Sequence, residues 1–307
     1  MFKIIRSLIK KETGNAAVLM TAAMAGLLLM TGLVIDGGNL YRIKSHLQKT
    51  ANAAALSGAQ EIPADAAVVQ SIVQEVLEAH QETESLQQSI VENGKTLSVQ
   101  LEKEVPLFFA SLFGVKSIPV AASAKAGIAP IASAEGAVPL GIDDRVPLVY
   151  GEKYQLKVDA GDSVSGNFGV LALAGPGAKS YSETLKYGFD EELAVGDIVK
   201  TETGNIAGPT SEGVNLRIRQ CPAVDIENID RDCSRVMLVL VYQPYEKSTN
   251  QLKSVKITGF AYFYITDPMG KNDSSIQGIF IKKTGRGTAD PENTLDRGAF
   301  AVRLMKR

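Results

Sequence analysis

The chain has 307 residues, with 32 lysines and arginines against 34 aspartates and glutamates, a formal net charge of -2. That balance supplies no general basic field for nucleic acid, so no nucleic-acid partner is expected. The length suffices for an anchoring segment and one or two domains with sizeable cores, and two cysteines allow at most one internal disulfide.

Lys3, Arg6, Lys10 and Lys11 precede a run, residues 16–35, that holds no charged residue. About 20 apolar residues at 1.5 Å each are needed to cross the hydrocarbon core, and this run is just long enough. Basic residues stay preferentially on the cytoplasmic side, which places the N-terminus inside and the rest of the chain outside. Arg42, Lys44 and Lys49 weaken that bias without reversing it. Asp36 is costly in lipid and belongs at the outer interface. A cleaved secretory signal is the rival reading. Its apolar region usually spans about 7–15 residues and ends at a small-residue site. Here the run is longer, and Ala53-Ala54-Ala55 lies too far downstream, which favours an uncleaved signal anchor.

Past Asp36-Gly37-Gly38-Asn39, residues Leu40, Ile43, Leu47, Thr50 and Ala54 form one helical stripe. Ala51, Ala53, Ala54 and Ala55 have high helix propensity and short side chains. Ala51 and Ala54 are therefore candidates for close helix contact, and Ala22 and Gly26 repeat a small-xxx-small spacing inside the span. Two readings stand open: association with a second helix, or an ordinary helix lying on its own domain. Pro63 marks a break.

Residues 65–92 read as a helix with Val69, Ile72, Val73, Val76 and Leu77 on its apolar side, followed by an Asn93-Gly94 turn. Residues 96–105 (TLSVQLEKEV) alternate like a half-buried strand. Residues 106–114 (PLFFASLFG) read as a short apolar helix opened by proline and stopped by glycine, and 118–128 as a second strand. The small, weakly patterned stretch 129–138 reads as a linker or boundary. Beyond it, strand candidates at 154–158, 168–173, 197–201, 214–219, 236–242, 255–265, 276–281 and 300–304 are separated by Gly, Pro, Asn and Asp turns. Only 180–192 offers a helix in this half. The expected class is α+β: a transmembrane helix, a small α/β module, and a mostly β sandwich- or barrel-like domain.

Cys221 and Cys233 lie outside the cytoplasm if the anchor is read correctly, where a disulfide persists. Closing so short a loop constrains the unfolded chain by roughly 3 kcal/mol on the entropy model. Two unpaired thiols are the alternative. The loop between them carries Asp225, Glu227, Asp230 and Asp232, oxygen ligands of the kind calcium takes, but at no EF-hand spacing, so it reads as solvated.

Sequence evidence for catalysis is thin. His46 and His80 fall in the N-terminal helical region and read as solvated side chains. With so few nitrogen and sulfur ligands, an ordinary zinc site is hard to build, and a Ser-His-Asp triad in the β-rich half has no local histidine. A Ser-Lys pair is spatial and leaves no sequence signal. Gly175-Pro176-Gly177 and Gly204-Asn205 are turn chemistry without a nucleotide-binding pattern. Phe260, Tyr262 and Tyr264 alternate with Ala261, Phe263 and Ile265, as in a strand buried on both faces. No cofactor, no metal and no enzymatic activity are expected.

Taken together, the basic start, Gly14-Asn15-Ala16-Ala17-Val18, the apolar span, Gly32 to Gly38 (GLVIDGG), Leu40-Tyr41, Leu47-Gln48 and Ala53 to Ala59 (AAALSGA) resemble the N-terminal region of TadE/TadG-like proteins, over about residues 12–60. The resemblance implies a component of the Tad machinery that assembles Flp pili. Prepilins of related type carry a glutamate five residues after the processing glycine. Leu19 stands at that offset from Gly14, which implies an unprocessed accessory part rather than a fibre subunit. Some larger TadG-like proteins also carry a von Willebrand A-like domain with an Asp-x-Ser-x-Ser metal motif. Asp162-Ser163-Val164-Ser165 has different spacing, and no such site is expected.

The sequence therefore reads as a basic cytoplasmic segment (1–15), an anchor (16–35), an Ala-rich helix and small α/β module (36–128), a linker (129–138) and a β-rich extracytoplasmic domain (139–307). The expected partners are the lipid bilayer and Tad-type envelope or pilus proteins, with a homo-oligomer as a further option. A surface binding or adhesion module unrelated to pili is the second function class, and an extracytoplasmic Ser-Lys hydrolase the third.

Overall fold

A computed structural model describes residues 15–157, 168–202, 206–222, 229–247, 252–270, 273 and 275–305. The basic residues before the span, the Asp162–Ser165 tetrad, Gly204-Asn205, and Asp225 and Glu227 lie outside them.

Helix α1 (Asn15–Ala59) runs unbroken for 45 residues. The sequence suggests a separation at residues 36–39, because each interior glycine costs roughly 1 kcal/mol in helix propensity. The helix passes straight through Gly37 and Gly38 because residues on both sides are held by packing. From Gly32 onward one stripe is turned inward: Gly32, Asp36, Leu47, Thr50, Ala51, Ala54, Ala55, Gly58 and Ala59 are all buried.

What that stripe meets follows in the chain. Helix α2 (Ala66–Ala79) is opened by Asp65, whose side chain accepts the Ala67 N–H at 2.9 Å. It places Val69, Val73 and Leu77 against α1. Strands β1 (Leu86–Glu92) and β2 (Thr96–Pro106) form a hairpin, and β3 (Ser117–Ala134) pairs with β2 along its length. On the face turned to the helices, Leu97, Val99 and Leu101 stand opposite Ala126, Ala124 and Ala122. The alanine row leaves room for α1 to lie close to β3. Gln48 Nε2 reaches the Ser123 carbonyl at 2.8 Å, and Lys44 donates to the carbonyl of Ala121.

The remaining elements are β4 (Ala137–Asp143), β5 (Lys153–Lys157), β6 (Phe168–Val170), α3 (Ala178–Tyr187), β7 (Leu193–Ala194), β8 (Ile198–Lys200), α4 (Ala207–Gln220), β9 (Val236–Lys247), β10 (Leu252–Ile265), β11 (Ser275–Ile281), β12 (Lys283–Thr284), β13 (Thr288–Ala289) and β14 (Ala299–Leu304). Two seven-stranded sheets result. One has the order β1-β2-β3-β14-β12, with β7 and β13 also on β3; the other has the order β5-β11-β10-β9-β4-β6, with β8 on β10. A curled half-barrel sheet completes an α+β fold. Strand β9 is covered on both faces. Met237, Val239 and Val241 face α3 and α4, while Leu238, Leu240 and Tyr242 face the end of β3 and β14. Phe260 and Tyr262 share that second core, and Ala261, Phe263 and Ile265 share the first, as the alternation in β10 suggests.

Several local expectations need correction. The helix read over 65–92 ends at Ala79, and 86–92 is strand. The segment 129–138 is not loose connector. It is the buried end of β3 and the start of β4, joined by Glu135 and Gly136. The strand read at 214–219 is helix, since α4 covers it. Its inward face, Thr210, Ser211, Gly213, Val214 and Arg217, is mostly polar, so the apolar spacing that would mark a helix is missing. Arg217 is held by two carbonyls, of Leu185 at 2.6 Å and Ser234 at 2.8 Å, and burial lowers its pKa to about 10. The helix expected at 106–114 shortens to a 3-10 turn, Ala110–Phe113.

Cys221 and Cys233 are joined, with Cα atoms 5.4 Å apart. The bond ties the end of α4 to the start of β9, not one strand to another. It packs on Tyr264 and Ile279, and Arg235 Nε donates to the Cys221 carbonyl at 2.7 Å. Replacing both cysteines with serine is expected to cost about 3 kcal/mol of stability on the loop-entropy model, read from denaturant midpoints under oxidising conditions. Unchanged midpoints would refute that contribution.

Gly58 sits where a Cβ would come within 2.5 Å of the Leu97 side chain and 2.8 Å of Val73. Both neighbours are fully buried, so Gly58→Val should destabilise the helix–sheet core by ~1–3 kcal/mol through overpacking. Gly26, whose Cβ would meet nothing within 4 Å, is the control. Equal unfolding midpoints for Gly58→Val and the unaltered chain would show that the contact yields freely.

Candidate membrane-anchoring site

The first half of α1 has the length and composition to cross a membrane. Residues 16–31 lie outside the fold's core and are exposed, Gly26 alone being half-covered. Leu19, Leu27 and Leu28 are 65%, 65% and 63% exposed. Twenty residues, 16–35, span about 30 Å at 1.5 Å each, the thickness of the hydrocarbon core.

Asp36 closes that apolar run, and it is only 6% exposed. Its carboxylate accepts three backbone N–H groups from the β2–β3 connection, those of Phe108, Phe109 and Ala110, each at 2.9 Å. These are the orphan donors at the start of the 3-10 turn, satisfied from a residue more than 70 positions away. The Ala110 amide, followed by those of Phe108 and Phe109, holds the Asp36 carboxyl below its ordinary range against the opposing effect of burial. One turn earlier on the same helix face, Gly32 receives the Phe109 ring. A Cβ there would lie 2.4 Å from the ring carbon Cγ. Asp36 and Gly32 thus tie the β2–β3 connection to the last turn of the apolar run.

Beside His46 of α1, Glu82 in the turn before β1 is buried and partnered. Lys103 Nζ lies 2.8 Å from both its oxygens, Ser85 Oγ donates at 2.5 Å, and His46 Nε2 stands 3.4 Å away. Burial acts to raise the Glu82 pKa, and the Lys103 ammonium, Ser85 and His46 together bring it below the ordinary value. The two histidines, read as solvated, come together here: His46 is exposed and His80 half-buried, their rings are 6.0 Å apart, and His80 Nδ1 is 3.3 Å from Thr50 Oγ1. The cluster joins α1 to the turn before β1 and to β2. Among the described residues no group of three or more His, Cys, Asp or Glu side chains is placed to hold a metal ion.

The candidate contact residues divide into two pairs. Ala51 and Ala54 are both 0% exposed and lie in the core shared by α1, α2, β2 and β3. Their close approach is to their own domain. Ala22 and Gly26 lie on the bare part of α1. Gln60 and Glu61, just past the helix, bond to Arg231, and Thr284 Oγ1 donates to the Gln60 carbonyl at 2.8 Å. The tie at Asp36 was half visible in the sequence as a charge at the edge of an apolar run. Glu82 was not, because nothing in QETES distinguishes a buried glutamate from its solvated neighbours.

Residues 14–61 match the Tad family model, described as Flp pilus-assembly TadE/G-like. The matched stretch runs from one residue before α1 to two residues after it, and of its small residues Ala51, Ala54, Ala55 and Ala59 pack on α2 and the sheet. No curated protein matches the chain. No solved structure matches it.

Asp36→Ala should leave three amides without their acceptor, and hydrogen exchange at Phe108, Phe109 and Ala110 should accelerate relative to that at Leu101 in the centre of β2. In the unaltered chain the folded carboxyl titrates below the ordinary 3.8. Its contribution is therefore complete above that range and is lost as pH falls through the lowered folded value. Unchanged exchange at 108–110 in the variant would show that the carboxylate does not order the turn.

Proposed function

We propose that this chain is a non-enzymatic, single-pass, membrane-anchored accessory component of Tad/Flp pilus assembly, with its sheets displayed outside the cytoplasm. The observation that carries the reading is the coincidence of the family match with α1. The segment related to Flp pilus-assembly proteins is the segment that pairs a bare apolar half with a half docked on the folded part. Lys3, Arg6, Lys10 and Lys11 support an inside N-terminus. The Cys221–Cys233 bond supports placement of the folded part in an oxidising compartment. The anchor holds the protein at the membrane, and the sheets offer a rigid body to envelope or pilus proteins. Leu19, at the offset where a prepilin carries glutamate, supports a full-length component over a processed fibre subunit.

The bare part of α1 also supports a contact within the bilayer. Small residues one turn apart let helix backbones approach, and Ala22 and Gly26 have that spacing. A second copy of the chain or a Tad-type membrane protein is the partner class. Gly26→Leu tests this contact without touching the core, whereas Ala54→Leu overpacks the protein's own interior.

Deletion of the gene in a cell that makes Tad-type pili and has no second copy should reduce surface pili, with recovery on re-expression. A compartment-specific reporter at the C-terminus should be active outside the cytoplasm. Undiminished pili would remove the assembly role, and cytoplasmic reporter activity would remove the topology. A fibre containing the chain cleaved after Gly14 would replace the accessory role with that of a subunit.

A further inference from the structure

The β2–β3 connection carries an apolar surface that the fold leaves open. Phe108, Leu112, Phe113 and Val115 are 64%, 78%, 71% and 45% exposed. Residues 105–115 hold no charged side chain; Glu104 and Lys116, both exposed, stand at the two ends. Concentrated apolar exposure of this kind marks an interaction site. Its place in the fold identifies the occupant. Asp36 binds the backbone of 108–110, and Phe109 lies on Gly32. The tip therefore stands beside the last turn of the 16–35 run, within about 6 Å along the helix axis of its outer end at 1.5 Å per residue.

The backbone of the tip is also prepared for a water-poor environment. Polar groups entering lipid need partners within the protein. Besides the three amides on Asp36, Leu107 N–H donates to the Lys116 carbonyl at 3.0 Å and Leu112 N–H to that of Phe109 at 3.1 Å. Gly114 N–H donates to Ser111 at 3.1 Å, Val115 N–H to Ala110 at 3.2 Å, and the Ser111 hydroxyl to Phe108 at 2.6 Å. An apolar, uncharged tip whose amides at 107–110, 112, 114 and 115 are bonded within the protein, tied to the end of a spanning helix, has the chemistry of a membrane-inserting loop.

We propose that this tip inserts into the outer interfacial layer of the bilayer that α1 crosses, giving the chain a second, non-spanning membrane contact. Phe108, Leu112, Phe113 and Val115 enter the upper acyl region, while Lys116 and Glu104 stay at the headgroup level. The inference rests on the anchored reading of α1.

The chain contains no tryptophan, so a single introduced Trp reports without background from other indoles. Full-length protein carrying Phe113→Trp is reconstituted in phosphatidylcholine vesicles with and without lipids brominated on the upper acyl chain. Leu33→Trp, 77% exposed in the span, is the reference, and Tyr187→Trp, 69% exposed on α3, is the water-exposed control. Phe113→Trp should emit to the blue of the control and lose intensity to bromine about as strongly as the reference. Quenching of the reference without quenching at position 113 overturns the proposal and leaves the anchor intact. Blue-shifted but unquenched emission at 113 overturns it in favour of a protein surface, a second copy included. An unquenched reference overturns the anchored reading and this proposal with it.

Discussion

The fold depends on how closely α1 lies to β3. Leucines and valines of β2 and alanines of β3 make one side of the contact, and Ala51, Ala54, Ala55, Gly58 and Ala59 make the other. Small residues on both surfaces bring the two backbones near enough for Gln48 and Lys44 to reach strand carbonyls. Dispersion grows with such proximity, and a protein interior is dense enough that one misplaced methyl group is felt. The docked half of α1 then fixes the direction of the undocked half, because no break separates them.

That arrangement explains what was legible in the sequence. An uncharged run of 20 residues has the length and composition of a membrane span. Leu97, Val99 and Leu101 alternate with polar neighbours as in a half-buried strand, and the apolar run at the end of 255–265 reports a strand covered on both faces. The signals fail where burial is polar or tertiary. α4 turns Thr210, Ser211 and Arg217 inward, so its periodicity is invisible to a hydrophobic pattern. Residues 86–92 follow a helix with only a short turn between, and their strand character comes from pairing with β2 rather than from propensity. The segment 129–138 is small because it is packed: Ile131, Ala134, Ala137 and Val138 are at most 2% exposed. Composition that suggested a linker in fact reflected a crowded junction of two sheets.

The anchoring site was legible in its parts and not in its assembly. The alanines, Asp36 and PLFFASLFG were each conspicuous. What sequence could not supply was the long-range pairing of Asp36 with the amides of 108–110, a contact across more than 70 residues set by the register of β2 on β3. The same holds for Glu82, whose burial is offset by Lys103 arriving from β2, with Ser85 and His46 beside it. Both carboxylates sit beside α1 and both carry depressed pKa values because hydrogen-bond donors outweigh burial and favour the ionised form: the amides of 108–110 for Asp36, and Lys103 with Ser85 and His46 for Glu82.

A single spanning helix constrains depth but not rotation. A helix crossing lipid is free to turn about its own axis and to tilt, and neighbouring contacts and interfacial residues set both. In this chain Gly32 and Asp36 place the β2–β3 tip to one side of the axis, at the level where the apolar run ends. On the proposed insertion, a lateral apolar support at that level would remove the rotational freedom that a lone span leaves. The unbroken helix can transmit such an orientation to the sheets, since Gly37 and Gly38 stay helical and His46 further along it meets the Glu82–Lys103 pair. Under the proposed function, a surface that meets envelope partners has to be held in orientation as well as position. The Asp36 tie is the element of this chain that couples the two.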